Sequence, residues 1–174
     1  MIEPLPPKEF KFVVRTTNIF ALDLIIEDSQ GRVLIGLRNN PPAQGFWFVP
    51  GGRVYKNEPL RDALSRILRN ETGFTAENVA SIALHGLYEH MYDDNVFGDP
   101  TFNTHYLIGA CRVTVTGGTP CFADYQHKLL RFVSVTALQA DPLVHKFVKY
   151  YFMADPPNRF PLNIENRPFI LNAS

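Results

Sequence analysis

Hydrophobic and polar positions along the chain follow patterns that predict a mixture of strands and helices. Residues 18–28 (NIFALDLIIED) are mostly β-branched, aromatic and aliphatic, and they end at a Ser-Gln-Gly turn, so they predict a strand. The following stretch from Val33 to Gly36 predicts its hairpin partner. Further strands are predicted at 47–49, just before the turn Pro50-Gly51-Gly52, and at 80–92, 104–115 and 128–134.

Residues 59–72 predict an amphipathic helix, because apolar side chains recur on one helical face. Their spacing is i, i+3, i+4, i+7 and i+8, and the residues are Leu60, Ala63, Leu64, Ile67 and Leu68. Pro59 fits the first turn of this helix, and Gly73 fits the position just after its end. Shorter helices are predicted at about 8–15, 135–140 and 143–153.

These elements predict an α+β fold, an α/β/α sandwich in which a mixed central sheet is flanked by helices. The 174 residues suit a single domain covering 1–174, with a core at about 18–153. Prolines predict that the N-terminal arm, 1–16, begins as an extended segment. The proline-rich tail, 155–174, is expected to be extended and to pack on the body of the protein or on a partner.

Charge and composition argue against several classes of protein. Lysine plus arginine equals aspartate plus glutamate at 17 each, which disfavours a non-specific nucleic-acid binder but allows a small anionic substrate held by local arginines. No apolar run reaches the ~20 residues that a membrane span needs, and the first ten residues lack a signal-peptide pattern. With only two cysteines, a reduced, cytoplasmic setting is expected.

A carboxylate lies on the apolar face of the predicted 59–72 helix. Glu71 is the next position on the stripe, i+11, at about 20° from Leu60 when each residue turns the helix by about 100°. A carboxylate on a buried face must be paired or bind a metal. On the helix alone an alternative stays open, in which Glu71 reaches solvent from a frayed helix end.

The chain from Gly52 onwards, GRVYKNEPLRDALSRILRNETGF, resembles the Nudix box. Positions of that pattern are matched at Gly52, Glu58, Arg66, Leu68, Glu71, Gly73 and Phe74. Ile67 and Asn70 stand where the family has the first and second glutamates of its core triplet. The resemblance implies the Nudix fold, but with these losses the site lacks carboxylates that a multi-metal attack at phosphorus requires. Arg66 is expected to pair with Glu58 and brace the loop against the helix.

Other segments resemble the GDP-mannose mannosyl hydrolases, a Nudix branch with the same reduced box. The matching segments are PPAQGFWFVPGGRV at 41–54, YEHMYDDN at 88–95, THY at 104–106 and QH at 126–127. This branch cleaves the bond between the anomeric carbon and the phosphate oxygen of GDP-mannose or GDP-glucose, inverts the sugar and releases GDP. The resemblance therefore implies a homodimer that acts on a small-molecule nucleotide sugar.

The same resemblance implies a set of site residues. One Mg²⁺ ion, with Mn²⁺ as an alternative, is held by the Gly51 backbone carbonyl, Glu71 and Gln126, which all offer oxygen ligands. His127 becomes the candidate general base, because the ordinary histidine pKa near ~6.5 suits proton abstraction at neutral pH. Substrate contacts are implied for Arg38 and Arg53 at the diphosphate, Tyr106 at the leaving group, Asp23 and His90 at the sugar, and Phe10 at the guanine.

Two other interpretations stay open beside the inverting hydrolase. A conventional Nudix pyrophosphohydrolase would release GMP and sugar phosphate, but Ile67 and Asn70 count against it. A non-catalytic module that only binds a nucleotide sugar would need no base, so Glu71 and the Gln126–His127 pair count against that function.

Overall fold

Strands and helices lie close to where the sequence predicts them. The computed structural model describes residues 4–121 and 127–160, with the backbone alone for residues 127 and 128. Within these residues the strands are β1 (Ile19–Glu27), β2 (Val33–Arg38), β3 (Trp47–Phe48), β4 (Gly51–Arg53), β5 (Val79–Tyr92), β6 (Thr104–Val115) and β7 (His127–Val133). The helices are α1 (Pro7–Thr16), α2 (Leu60–Thr72), α3 (Val135–Ala140) and α4 (Lys146–Tyr150), and a 3₁₀ turn covers Ala76–Asn78.

The strands form one sheet in the order β3-β2-β1-β6-β5, and it is mixed, as the sequence predicts. Strand β1 runs parallel to β6, with Ile19 opposite Tyr106, whereas the other paired strands are antiparallel. On its other edge, β1 pairs with β2 only near its end, where Glu27 lies opposite Val33. Closer to its start the same edge pairs with β4, so two separate strands pair along one edge of β1.

Helices cover both faces of the sheet, which confirms the predicted α/β/α sandwich. On one face, Leu22 and Leu24 of β1 pack in a cluster with Ile67 of α2. On the other face, Ala21 and Ile25 pack in a cluster that includes residues of α3 and α4. Because β1 is buried on both faces, its sequence is a nearly continuous apolar run and shows no alternation.

Helix α2 buries much of its predicted stripe, including Ile67 and Glu71. Leu60 departs from the prediction, because it lies in the first turn and is 56% exposed. Pro59 immediately precedes the first helical residue, one position before the predicted first turn. Gly73 ends the helix in the left-handed conformation, with φ of 71°, which glycine adopts without steric cost.

The turn predicted at Pro50-Gly51-Gly52 is wrong in part, because Gly51 and Gly52 begin strand β4. Asp23 lies opposite Gly51, and Leu22 opposite Gly52, in the antiparallel pairing of β1 with β4. A side chain at position 51 would place its Cβ 2.9 Å from the Leu22 carbonyl oxygen and against the Asp23 carboxylate. Glycine is required there by this close approach of two strands, which turn chemistry alone does not reveal.

The helix predicted at 143–153 is also wrong at both ends, since α4 covers only Lys146–Tyr150. Residues 143–145 lie outside the helix, because their backbone bonds to β3. The Trp47 amide donates to the Leu143 carbonyl at 2.8 Å, and the His145 amide donates to the Trp47 carbonyl at 3.1 Å.

The described part of the tail, up to residue 160, packs on the edge strand β5. The Glu89 amide donates to the Asn158 carbonyl, and the Phe160 amide donates to the Leu87 carbonyl, both at 2.9 Å. As far as residue 160 the tail therefore lies on the body of the protein, although it is not extended throughout, because residues 157 and 158 form a turn. Within the described ranges, no helix has both the length and the apolar character required to span a bilayer.

Candidate active site

A cavity of about 220 Å³ lies where β1, β2 and β4 meet, and α1, β5 and β6 complete its wall. Among its lining side chains are aromatic rings, two guanidinium groups, a carboxylate and an imidazole. Most of the site residues predicted from the sequence line this one cavity, namely Phe10, Asp23, Arg38, Gly51, Arg53, His90 and Tyr106.

Asp23 is a buried carboxylate in the middle of β1, only 5% exposed. The Tyr151 hydroxyl donates a 2.5 Å hydrogen bond to its Oδ2 atom. Burial raises the pKa of Asp23 to about 6, while the bond from Tyr151 and the positive charge of Arg38 hold the pKa down. Asp23 is therefore mostly ionised at neutral pH, and it lies beside the Gly51 backbone of β4.

His90 lies in β5 directly opposite Tyr106 of β6 and is 1% exposed. Its ring stacks on Phe147 with the centroids 4.2 Å apart and an angle of 4° between the planes. Burial lowers the pKa of His90 to about 3, so the imidazole is neutral at physiological pH. A neutral imidazole can donate a hydrogen bond from one nitrogen and accept one at the other, so it can bind a hydroxyl group.

Two arginines bring positive charge to the cavity from different strands. Arg38 ends β2, and its Nε donates to the Pro42 carbonyl at 2.8 Å, which fixes the loop at the cavity mouth. Arg53 ends β4, and its guanidinium carbon lies 3.5 Å from the centre of the Phe10 ring. Burial lowers the pKa of Arg53, yet its guanidinium stays charged. Phe10 is thus in contact with Arg53, and the Phe97 ring also lies beside it, with the ring centroids 5.6 Å apart.

Tyr106 is half-buried in β6 and meets the ring of Tyr92 edge-on, with centroids 6.2 Å apart. Burial raises the pKa of Tyr106, so its hydroxyl is protonated and is a hydrogen-bond donor at neutral pH. Tyr92 also lines the cavity, although the sequence did not single it out. The period-two spacing of Tyr88, His90 and Tyr92 along β5 is the signal that would have identified it.

The predicted metal ligands are described only in part. Glu71 is buried in the last turn of α2, and α2 contacts β4, where Ile67 lies against Gly52. Gln126 lies outside the described residues, and of His127 the backbone is known, paired with Arg38 at the start of β7. Within 4–121 and 127–160 no three His, Cys, Asp or Glu side chains are grouped to hold a metal. A buried carboxylate is the kind of oxygen ligand that a hard cation takes, so Glu71 fits that role.

The predicted pairing of Arg66 with Glu58 is confirmed and is bidentate. Arg66 Nε donates to Glu58 Oε1 at 2.6 Å, and its second nitrogen donates to Oε2 at 2.8 Å. The same nitrogen donates to the Arg53 carbonyl at 2.8 Å. Glu58 Oε2 also accepts from the Tyr55 amide at 2.9 Å. This ion pair therefore ties α2 to the preceding loop and fixes the strand that carries Arg53.

Known proteins resemble this chain in sequence and in fold. The model of the NUDIX domain matches residues 18–155. Low-salt glycan biosynthesis protein Agl8 of Haloferax volcanii is 35% identical over 144 residues, which are 83% of this chain and 88% of that protein. Putative 8-oxo-dGTP diphosphatase 2 of Mycobacterium tuberculosis is 35% identical over 107 residues, 61% of this chain and 67% of that protein.

Among solved structures, the MutT NUDIX hydrolase from Burkholderia pseudomallei has a TM-score of 0.60 at 20% identity, covering 78% of this chain and 95% of that chain. That similarity shows the fold. Nudix hydrolases act on small-molecule nucleotide derivatives and generally use divalent metal ions such as Mg²⁺. Because the domain model covers most of the chain, and Agl8 matches slightly more of it, this chain belongs to the Nudix hydrolase family.

Proposed function

We propose that this protein hydrolyses GDP-mannose or GDP-glucose to GDP and free hexose, by inverting attack of water at the anomeric carbon. The observation that carries the proposal is the composition of one cavity. Two guanidinium groups, Arg38 and Arg53, line it together with two buried polar groups, Asp23 and His90. The first pair suits a diphosphate and the second pair suits the hydroxyls of a sugar.

The reduced box supports attack at carbon. Ile67, which stands where the family has a glutamate, is 2% exposed and packs in the core, where its Cγ1 closely approaches Gly52. Asn70, at the second missing glutamate, is exposed to solvent. Of the core triplet only Glu71 offers a carboxylate, so a site built for several metal ions at phosphorus is disfavoured.

A single Mg²⁺ ion, or Mn²⁺, would be held by Glu71, the Gly51 carbonyl and Gln126. When bound, it would supply positive charge that stabilises a departing diphosphate. The guanidinium groups of Arg38 and Arg53 act on the same developing charge, and the protonated hydroxyl of Tyr106 donates to the leaving oxygen.

His127 takes the proton of the attacking water as general base, while Asp23 and His90 hold the sugar in position. The guanine lies at Phe10, whose ring is in contact with Arg53. We further propose that the protein works as a homodimer in a reducing, cytoplasmic setting. Cys111 and Cys121 are both free thiols, which fits that setting.

A conventional pyrophosphohydrolase is the second candidate. The 35% identity to a protein named as an 8-oxo-dGTP diphosphatase favours it, because that name describes cleavage at phosphorus.

Hydrolysis of GDP-mannose in ¹⁸O-water with Mg²⁺, followed by mass spectrometry, separates these functions. We expect GDP and free hexose, with the label on the sugar and none on phosphate. Label in GMP or in sugar 1-phosphate would contradict attack at carbon and favour the pyrophosphohydrolase. Absence of turnover with GDP-mannose and GDP-glucose would favour the non-catalytic binding module. A reaction without protein measures spontaneous hydrolysis and is subtracted.

A further inference from the structure

We infer that Tyr151 is a positioning residue of this site: its hydroxyl holds the Asp23 carboxylate and keeps His90 in the tautomer that is protonated at Nε2. The consequence for catalysis rests on the proposed function, whereas the tautomer is a property of the protein alone. Tyr151 lies 128 residues from Asp23 in the chain, and no motif points to it.

Tyr151 lies behind the cavity wall and acts through two groups that line it. It follows the last residue of α4 and is 2% exposed. Its hydroxyl oxygen is 2.5 Å from Asp23 Oδ2 and 3.3 Å from His90 Nε2. Asp23 and His90 both line the cavity, but Tyr151 is absent from its described lining.

Counting protons fixes the direction of both hydrogen bonds. A tyrosine hydroxyl has one proton to donate and an oxygen that accepts, whereas an ionised carboxylate only accepts. The Tyr151 proton therefore goes to Asp23, at the shorter distance. The hydroxyl oxygen is left as acceptor toward His90, so Nε2 must carry the imidazole proton.

The neutral imidazole of His90 has a single N–H, so protonation at Nε2 leaves Nδ1 as the acceptor. An acceptor at Nδ1 suits a substrate hydroxyl that donates, whereas the opposite tautomer would present a donor at Nδ1 instead. Tyr151 thus decides whether His90 accepts a hydrogen bond from the substrate or donates one to it.

The hydroxyl of Tyr151 is held in place by residues of β5. The ring meets Tyr88 edge-on, with centroids 4.8 Å apart and planes at 86°. The backbone carbonyl of Tyr151 is 2.9 Å from His85 Nε2, which donates to it. The stack of His90 on Phe147 fixes the other partner. Since the Tyr151 ring is buried and packed against Tyr88, removing its hydroxyl oxygen changes the hydrogen bonds and leaves the shape nearly intact.

Tyr151→Phe tests this inference, with Tyr88→Phe as the matched control. Both substitutions remove a hydroxyl from a buried tyrosine, and the two rings touch each other, but only Tyr151 is bonded to Asp23 and His90. The readout is the ¹⁵N spectrum of histidine-labelled protein without ligand at neutral pH. The His90 signals are assigned by their loss in His90→Asn.

In the wild-type protein and in Tyr88→Phe we expect His90 to be protonated at Nε2, with Nδ1 unprotonated. In Tyr151→Phe we expect both tautomers to be populated. Asp23→Ala is a second variant, in which the Tyr151 hydroxyl is free to donate to Nε2, and His90 should move to protonation at Nδ1. Wild-type His90 protonated at Nδ1, or a Tyr151→Phe spectrum equal to that of the wild type, would overturn the inference.

Kinetics give a second readout that a merely structural role would not reproduce. We expect Tyr151→Phe to lower kcat/KM for the GDP-sugar by about 10- to 100-fold, the usual effect of losing a hydrogen bond to a charged group. Binding of GDP alone, which lacks the sugar, should stay within about twofold of the wild type. Equal losses for GDP and GDP-sugar would contradict a role at the sugar end. If no GDP-sugar is turned over, the proposed function fails while the spectra still decide the tautomer.

Discussion

The two faces of strand β1 differ in polarity, although their side chains alternate along the same few residues. Toward α2, the side chains of Leu22 and Leu24 pack in an aliphatic cluster. Toward α3 and α4, Asp23 is buried between Ala21 and Ile25 and takes a hydrogen bond from Tyr151. The same strand thus has an aliphatic face toward α2, called the dry face below, and a second face that contains a buried carboxylate.

The difference shows what a buried charge requires. Asp23 is tolerated because the hydroxyl of Tyr151, the residue just after α4, donates a hydrogen bond to it at 2.5 Å. On the α2 face, the buried polar side chains of α2 are Glu71 and Thr72, both in the last turn of the helix. The interior of that face is apolar, and its polar groups lie at the rim. In the described residues, the buried polar side chains of α2 are therefore confined to the end of that helix.

The largest effect is expected from placing a carboxylate inside the dry face. Ile67→Glu would restore the first missing glutamate of the box, but the position is 2% exposed and surrounded by aliphatic side chains. We expect the free energy of unfolding to fall by about 3–5 kcal/mol, as for other uncompensated buried charges. Urea denaturation at pH 7 measures the loss.

Asn70→Glu is the matched control, because it restores the second missing glutamate at an exposed position of the same helix. It should change the free energy of unfolding by no more than about 0.5 kcal/mol. If Ile67→Glu were as stable as Asn70→Glu, the α2 face would accommodate charge, and the contrast between the two faces would be lost.

The next effect concerns the carboxylate at the rim of the α2 face. We expect Glu71→Gln to lower turnover by about 10²-fold or more, because a neutral amide binds a hard divalent cation more weakly than a carboxylate does, and that cation would stabilise the leaving group. Steady-state rates across a range of Mg²⁺ and Mn²⁺ concentrations measure both the loss and any weaker metal dependence.

Glu77→Gln makes the same change of charge at an exposed position just beyond α2, and it should leave turnover unchanged. Full activity of Glu71→Gln, or of the wild-type protein in excess EDTA, would remove Glu71 from the site. The α2 face would then have no part in the chemistry.

Much of the fold could be predicted because its signals are local. The period of apolar residues and the glycine after Thr72 bounded α2 to within one residue. The prediction failed for β4 and for residues 143–145, because their backbones form hydrogen bonds with strands that are distant in the sequence. Local propensity carries no record of such long-range pairing.

The candidate site divides in the same way. Arg53 and Glu71 belong to short motifs, so a resemblance could identify them as candidates. Tyr151 was missed because its role comes from a hydrogen bond to Asp23 across 128 residues, and a tyrosine in a C-terminal apolar stretch predicts packing. Sequence reasoning finds residues that act through a motif, and structure finds those that act through a neighbour.

The smallest effect is expected at the ion pair on the outer side of α2. Arg66 holds the pKa of Glu58 below its ordinary value, because the guanidinium donates two hydrogen bonds to the carboxylate. A lowered pKa means that the stabilisation is complete above the pKa of an unfolded glutamate, about 4.3, and is lost as the pH falls through the lower folded pKa. Glu58→Gln should therefore destabilise the protein by about 1–2 kcal/mol at pH 7.

That difference should shrink as the pH falls below about 4, because a protonated Glu58 resembles glutamine. Urea denaturation of both proteins between pH 7 and pH 3 follows the change. Glu89→Gln is the control, since Glu89 is paired with His105 at the surface and should contribute less than about 1 kcal/mol. A Glu58→Gln difference that stays constant with pH would mean that the ion pair does not stabilise the fold, and that α2 is held on its face by apolar packing alone.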